Sequence, residues 1–386
     1  MSAKTAEGIT DRLCARCHVT QATLVVRNDH LCQECFETYV TNKAGKHMDE
    51  YRVRGPSKDE PRKILLPLSL GSCSISLLHI LDRLLRMQEE KTGRKGFELH
   101  LLSIQSSTES KMIECLDLVK QRYPLHTFSC SSLEDIYQHP SISSDGDEVS
   151  SGDENQSHAE RLQKFFSSLP SATSKADMIN VLRTRLVVQS AKSNGCECIV
   201  WGDSTTRLAE KTLAEAAKGR GFSLPWQTAD GPSPHGVIFM FPMRDLLRKE
   251  IITYSQSISP PLTPLIVEQP LSTQVSASSK NTTIDDLMSQ YFSSVEESYP
   301  SIVANVVRTS SRLQAPESIT SIACQICKLP VDPEKQGLYG WGGDQIIDSV
   351  PLAKEAPDTQ SPAGQTYCYG CARSMHSDTK KTSKTP

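Results

Sequence analysis

The chain has 386 residues, with 42 Lys and Arg against 45 Asp and Glu, a formal net charge of -3 and 37% hydrophobic residues. So small a charge excludes a bulk field for nucleic acid, and an acidic partner must meet a local basic patch. No apolar run approaches the ~20 residues that cross a bilayer, and the opening MSAKTAEGITDR lacks the apolar stretch of a signal peptide. The chain reads as cytoplasmic, with no membrane contact, and is long enough for two or three compact units. Its thirteen cysteines are therefore expected as thiols rather than disulfides.

Residues 1–55 are expected to form an N-terminal zinc-ribbon-like module. Cys14-x-x-Cys17 and Cys32-x-x-Cys35 are separated by fourteen residues, the length of a hairpin. A Cys-x-x-Cys turn offers two thiolates to one ion, and two such pairs close a tetrahedral zinc shell. Four free buried cysteines are the plainer alternative. His18 and His30 flank the clamp, so a RING-like cross-brace, drawing also on His47, stays open at this point. The charged, proline-bearing run RVRGPSKDEPRK then reads as a linker.

From Ile64 the pattern alternates. ILLPLSL reads as a buried strand, Ser74 to Glu90 as an amphipathic helix, Phe97 to Ile104 as a strand, Lys111 to Tyr123 as a helix and His126 to Ser129 as a short strand. The acidic, Ser-rich stretch 141–157 holds almost nothing that buries a core. It reads as a disordered insertion in which Ser144 and Ser151 precede acidic residues and suit phosphorylation. Alternation resumes with a helix over Lys175 to Ser193, a strand over Glu197 to Gly202, a helix over Thr205 to Lys218, a strand over Val237 to Phe241 and a helix over Met243 to Tyr254. Strand-helix alternation predicts an α/β core, residues 56–260, built on a parallel Rossmann-like sheet. Residues 261–320 read as a Pro/Ser-rich connection with a helix over Asp285 to Thr309. Residues 321–376 carry Cys324-x-x-Cys327 and Cys368-x-x-Cys371, forty residues apart, and are expected as a C-terminal zinc-binding module. The Gly-rich chain between the pairs loops out cheaply, although two unrelated thiol pairs are the alternative. Residues 377–386 read as a disordered tail.

The first core strand leads into Ser69-Leu70-Gly71-Ser72-Cys73-Ser74 and then a helix. A small-residue loop before a helix N-terminus can cradle a phosphate. Ser69, Gly71 and Ser74 make this loop resemble the S-G-G-x-D-S nucleotide loop of the N-type ATP pyrophosphatases, the PP-loop superfamily. Leu70 stands in place of a glycine and is expected to put a side chain where backbone should approach phosphate. Cys73 replaces the aspartate, and a thiol is a poor partner for magnesium. A second stretch resembles that family's G-H-N-x-D-D-x-A-E-T-x-L segment: Gly202, Ala209, Glu210 and Leu213 fall in place, while the histidine and the acidic pair are lost. With clamps at both ends, the chain resembles the non-catalytic subunit of the cytosolic tRNA 2-thiolation group of that superfamily.

The resemblance implies a heterodimer with a catalytic tRNA thiolase subunit, tRNA as ligand, and 2-thiolation of the wobble uridine in tRNA Lys, Glu and Gln (5-methoxycarbonylmethyl-2-thiouridine). It implies a thiocarboxylated ubiquitin-related modifier as sulfur carrier, structural zinc, no catalytic residue in this chain and no use of ATP by it. Catalytic relatives carry a Cys-x-x-Cys at the start of the helix before the Gly-Asp strand. Here that stretch is Ser171-Ala172-Thr173-Ser174, and 221–250 has no cysteine either. Cys73, Cys115, Cys130, Cys196 and Cys198 are expected as core residues. On the helix over Thr205 to Lys218, Arg207, Lys211 and Lys218 fall on one side at about 100° per residue. With Arg220 they form a basic stripe suited to tRNA phosphates; an ordinary solvated face is the alternative. An active ATP-dependent adenylating sulfurtransferase and a zinc-dependent interaction adaptor are the competing readings of function.

Overall fold

Ile64, Leu65 and Leu66 are all fully buried, which a strand allows only when both faces of its sheet are covered. The computed structural model describes residues 12–53, 61–105, 110–138, 157–267, 281–315, 322–331 and 366–375. The expected insertion at 141–157, apart from Ser157, and the expected tail at 377–386 lie outside these residues.

Strands β1 (Leu24–Val26) and β2 (Asp29–Leu31) form a hairpin that leads into helix α1 (Gln33–His47). The core follows as β3 (Arg62–Pro67), α2 (Ser72–Thr92), β4 (Phe97–Gln105), α3 (Ser110–Arg122), β5 (Thr127–Ser132), α4 (His158–Ser168), α5 (Ala172–Ser193), β6 (Cys198–Val200), α6 (Thr205–Ala217), α7 (Leu224–Thr228), β7 (Gly231–Pro232), β8 (Ile238–Met240) and α8 (Arg248–Ser257). Helices α9 (Ile284–Ser298), α10 (Pro300–Ser310) and α11 (Tyr369–Met375) complete the chain.

The six-stranded sheet has the order β5-β4-β3-β6-β8-β7. All its neighbours pair in parallel except β7, which runs antiparallel to β8 at the edge. This is the parallel α/β sheet read from the alternation. Consecutive strand residues point to opposite faces, and the core divides accordingly. Ile64, Leu66, Leu99, Leu101, Cys198 and Val200 join one cluster with α2, α3, α8 and α1. Leu65, Leu102 and Ile199 join the other, with Val187 and Val188 of α5, Leu208 and Ala209 of α6, Phe292 of α9 and Val303 and Val307 of α10.

Several elements differ from expectation. The helix expected over Asp285 to Thr309 is two helices, because Pro300 lacks the amide that would continue the first and instead opens the second. The helix expected over Met243 to Tyr254 begins only at Arg248. Helices α1 and α4 were not foreseen, although both left signals. Phe36, Val40 and Ala44, all fully buried, recur at the i, i+4 spacing of one helix face. Ser157 and Glu160 form a capping box at the start of α4. Cys196 and Cys198 are buried as expected and so is Cys115, but Cys73 is half-buried and Cys130 is exposed. Cys130 lies on the edge strand β5, at an exposed position.

The N-terminal module packs Phe36, Val40 and Ala44 into the cluster it shares with α2 and α8, and polar contacts at its edge add to this docking. Arg27 Nε donates to Glu250 Oε1 at 3.0 Å and its Nη2 to the Asp245 carbonyl at 3.1 Å. His47 sits between two carboxylates, with Nδ1 3.3 Å from Asp230 and Nε2 3.1 Å from Asp245. Hydrogen bonds to these carboxylates raise the His47 pKa to about 9 from 6.5. Lys43 acts on Asp245, and Arg244 faces both carboxylates. Because the folded value lies above the unfolded one, the stabilisation is complete below about pH 6.5 and is lost as pH rises through about 9. Thermal melts across pH 6 to 10 should show wild type losing stability over that window. A His47→Gln variant should sit on the order of 2 kcal/mol lower at the acid end, with the gap closing at the alkaline end.

Candidate functional site: a switch-point crevice and two thiol clusters

The strand order reverses between β3 and β6, and the helices that follow these strands pass to opposite faces. In such sheets a crevice opens at the carboxyl ends of the two strands. Both motif segments lie there and touch. A Cβ on Gly202 would come within 3.1 Å of Ser74 Cα and 3.3 Å of its amide nitrogen, so any larger residue would press the end of β6 against the start of α2.

The structure brings Ser69, Gly71 and Ser74 together, and they bond to one another. Ser74 Oγ donates to the Gly71 carbonyl at 3.1 Å and lies 3.2 Å from Ser69 Oγ. Leu70 departs from expectation. It takes a left-handed conformation, φ 59°, which glycine adopts without strain. Its side chain is fully buried in the core, and its carbonyl accepts from Val267 N at 2.9 Å. The leucine therefore anchors the loop from beneath rather than filling its mouth. Cys73, at the first turn of α2, faces Asp203, Ser204 and Arg248; burial raises its thiol above the ordinary value.

The expected basic stripe on α6 is corrected. Arg207 is half-buried, its Nη1 donates to Glu210 at 3.1 Å, and Arg248 approaches the same carboxylate at 2.7 Å. Lys211 Nζ lies 3.7 Å from Asp203 and packs over the Trp201 and Phe241 rings. Lys218 is only 4% exposed and Arg220 1%. Lys218 is covered by α9, which lies against α6, and Arg220 by Gly370 and Cys371 of the C-terminal module, while Leu213 is 38% exposed.

Lys218 and Arg220 build a buried ion network instead. Arg220 forks onto Asp177 of α5 at 2.6 and 2.5 Å, and its Nη2 also lies 3.6 Å from Cys371 Sγ. Ser374 of α11 donates to Asp177 at 2.6 Å. Lys218 Nζ lies 2.6 Å from Glu215, 3.3 Å from Asp177 and 3.3 Å from Asp285 of α9. Burial alone would raise the Asp177 carboxyl, but Arg220, Lys218 and Ser374 outweigh it and hold the carboxyl below its ordinary value. Gly219, at φ 81°, lies so close to the Tyr369 ring that a Cβ would overlap it. Asp177 and Asp285 were missed, since an acidic residue on a helix gives no sign of a partner dozens of residues away.

The eight cysteines form two groups, Cys14, Cys17, Cys32 and Cys35, and Cys324, Cys327, Cys368 and Cys371, each with its sulfurs within 4.8 Å of one another. Both have one construction. The first pair sits in a turn whose next residue, His18 or Lys328, is left-handed, with its amide on the first cysteine's carbonyl at 2.9 and 2.8 Å. The second pair sits at a helix start: Cys32 is the N-cap of α1, and Cys368 directly precedes α11. The helix dipole favours thiolates there. A tetrahedral ion about 2.3 Å from each sulfur places the sulfurs roughly 3.8 Å apart. Cys17 and Cys32 lie 3.9 Å apart, and Cys327 and Cys368 lie 3.7 Å apart. Each group can therefore hold a metal ion. The cross-brace does not form among the described residues: His47 is engaged by Asp230 and Asp245, and His18 and His30 stand outside both groups.

The fold is similar to that of the U34-tRNA thiolase NcsA from Methanococcus maripaludis with its 4Fe-4S cluster, at TM-score 0.57 and 14% identity over 81% of this chain and 91% of that one. The sequence profile described as cytoplasmic tRNA 2-thiolation protein 2 matches residues 283–373. A protein of that name from Pyrenophora tritici-repentis is 46% identical over 376 residues, 96% of each chain. This chain belongs to the cytoplasmic tRNA 2-thiolation protein 2 family. Another relative of the same name, from Phaeosphaeria nodorum, is 46% identical over 97% of each chain. The profile match takes in α9, α10 and all four C-terminal cysteines, the parts that cover α6 and meet Arg220.

Breaking the buried fork should be costly. Asp177→Asn strands a buried guanidinium, and urea unfolding should show a loss of about 3–5 kcal/mol. Joining it to Arg220→Met should restore part of that loss.

Proposed function

We propose that this chain is the non-catalytic subunit of a cytoplasmic tRNA thiolase. It pairs with the catalytic thiolase subunit as a heterodimer, holds tRNA, and supports 2-thiolation of the wobble uridine in tRNA Lys, Glu and Gln. Sulfur is supplied by a thiocarboxylated ubiquitin-related modifier. Membership in the thiolation-protein family supports the process, and one feature of the crevice supports the non-catalytic role. The loop keeps the backbone path of a nucleotide loop, yet Cys73 stands where a carboxylate would orient a metal-bound nucleotide. Ser69 and Ser74 are bonded within the loop itself. At the start of α5, where catalytic relatives are expected to carry thiols, Ser171 accepts from Ser174 N at 3.0 Å and serves as an N-cap.

We assign zinc to both thiol groups, since a closed shell of four thiolates suits a structural zinc. Neither group has an open position for substrate chemistry. Both sites sit outside the crevice, so their role is to hold the modules against the core. Among the described residues no helix is long and apolar enough to cross a membrane, in keeping with a cytoplasmic setting.

Nucleoside analysis of tRNA from cells lacking the chain should show loss of wobble 2-thiouridine, restored by the wild-type gene and by a Ser69→Ala variant. Normal 2-thiouridine in the deletion strain would sink the proposal. ATP consumption by the purified chain, abolished by Ser69→Ala, would show instead that it adenylates substrate itself. Elemental analysis of the purified chain should give two zinc ions, and Cys14→Ser should leave one.

A further inference from the structure

Helix α1 carries Tyr39, Lys43 and Lys46 on one face, at the i, i+4, i+7 spacing. Arg16, from the turn of the first cysteine pair, reaches the same face. Its guanidinium carbon lies 5.3 Å from the Tyr39 ring centroid, and Lys43 Nζ lies 5.4 Å from it. Two cations thus share one ring. Arg16 and Lys46 are exposed and Lys43 is half-exposed.

The carboxylates facing this surface are engaged elsewhere. Glu250 takes Arg27 and the Tyr39 hydroxyl, and accepts from Leu247 N at the start of α8. Asp230 and Asp245 hold His47, and Asp230 also pairs with Arg244. Among the described residues, no carboxylate lies in ion-pair range of Arg16, Lys43 or Lys46. The crevice cations differ in this respect: Arg207, Arg248 and Lys211 each have an acidic partner. Burial, and then the neighbouring Arg27, lowers the Lys43 ammonium, with Asp245 and Glu250 acting in the opposite sense.

We infer that this face of the N-terminal module, formed by Arg16, Lys43 and Lys46 around Tyr39, binds the phosphate backbone of RNA. Uncompensated cations without a base-reading pocket suit phosphate contacts, which position a nucleic acid without reading its sequence. The location fits as well. Arg248, at the first turn of α8, lines the crevice, and Glu250, two residues on, holds Arg27 and Tyr39. The cationic face and the crevice therefore share one rim, and RNA held on the module runs past the crevice mouth. The inference rests on the proposed role in tRNA thiolation and names the surface that role uses.

The test is fluorescence anisotropy of the full-length chain with a labelled tRNA transcript over a salt series. Combined Arg16→Gln, Lys43→Gln and Lys46→Gln should lower affinity at least roughly tenfold at ~150 mM salt and flatten the log–log salt slope by about 3. Metal content and melting temperature should match wild type. Lys46→Glu alone, at an exposed site, should weaken binding in the same direction and serves if the triple variant is unstable. Arg207→Gln with Lys211→Gln should change affinity by no more than about twofold, since those charges are already neutralised. Unchanged affinity and slope in the module variants would overturn the inference. So would a wild-type chain that binds no tRNA, or one that prefers a poly-glutamate peptide to RNA at the same salt. Each of these leaves the functional proposal to the separate outcome of the nucleoside analysis.

Discussion

A guanidinium buried to 1% exposure must find its charge partners inside the protein, and Arg220 finds them on three sides. Asp177 of α5 meets it with both carboxylate oxygens, Glu215 of α6 lies within ion-pair range, and Cys371 of the C-terminal module turns its sulfur toward it. Lys218 carries the same network to Asp285 at the start of α9. Two core helices, a covering helix and a thiol cluster are thus fixed by one set of charges. A buried ion pair adds little net stability compared with apolar residues, but removing either partner strands the other. Its value here is register: the module can dock only where the fork closes. The same contact explains Gly219, which leaves space for the Tyr369 ring.

The two thiol clusters share a local construction and differ in setting. Cys324, Cys327, Cys368 and Cys371 are all at most 6% exposed and belong to a cluster with Met178, Leu182 and Trp226 of the core. Around the N-terminal group, Cys17 and Cys35 are half-exposed, and that module meets the core through Arg27, His47 and Gln33. Both modules are built into the core, the N-terminal one through Phe36, Val40 and Ala44 as well as its polar contacts, and it keeps its cationic face outward.

The crevice keeps its shape through packing and hydrogen bonds of its own loop. Gly202 lets β6 pack closely against α2, a demand independent of any nucleotide. Leu70 holds a left-handed position that favours glycine, and its buried side chain offsets the conformational cost. Ser69 and Ser74 satisfy each other within the loop.

Much of this could be read from the amino-acid order. Strand-helix alternation is a local signal repeated many times, and it determined the parallel sheet. The Cys-x-x-Cys spacings determined two four-thiol groups, because such a turn places both sulfurs on one side whatever surrounds it. The glycines and serines of the two motif segments marked the crevice before any sheet order was known. Tertiary structure alone decided the electrostatics. The period of α6 correctly placed Arg207, Lys211 and Lys218 near one another, but it carried no information about α9 and α10, which follow some seventy residues later and cover that helix. A helical period says which residues share a face; whether the face meets water is settled by what packs on it. For that reason the cations that looked exposed are buried or paired, and the uncompensated ones stand on a helix whose polar sequence had hidden its own Phe36, Val40 and Ala44 core face.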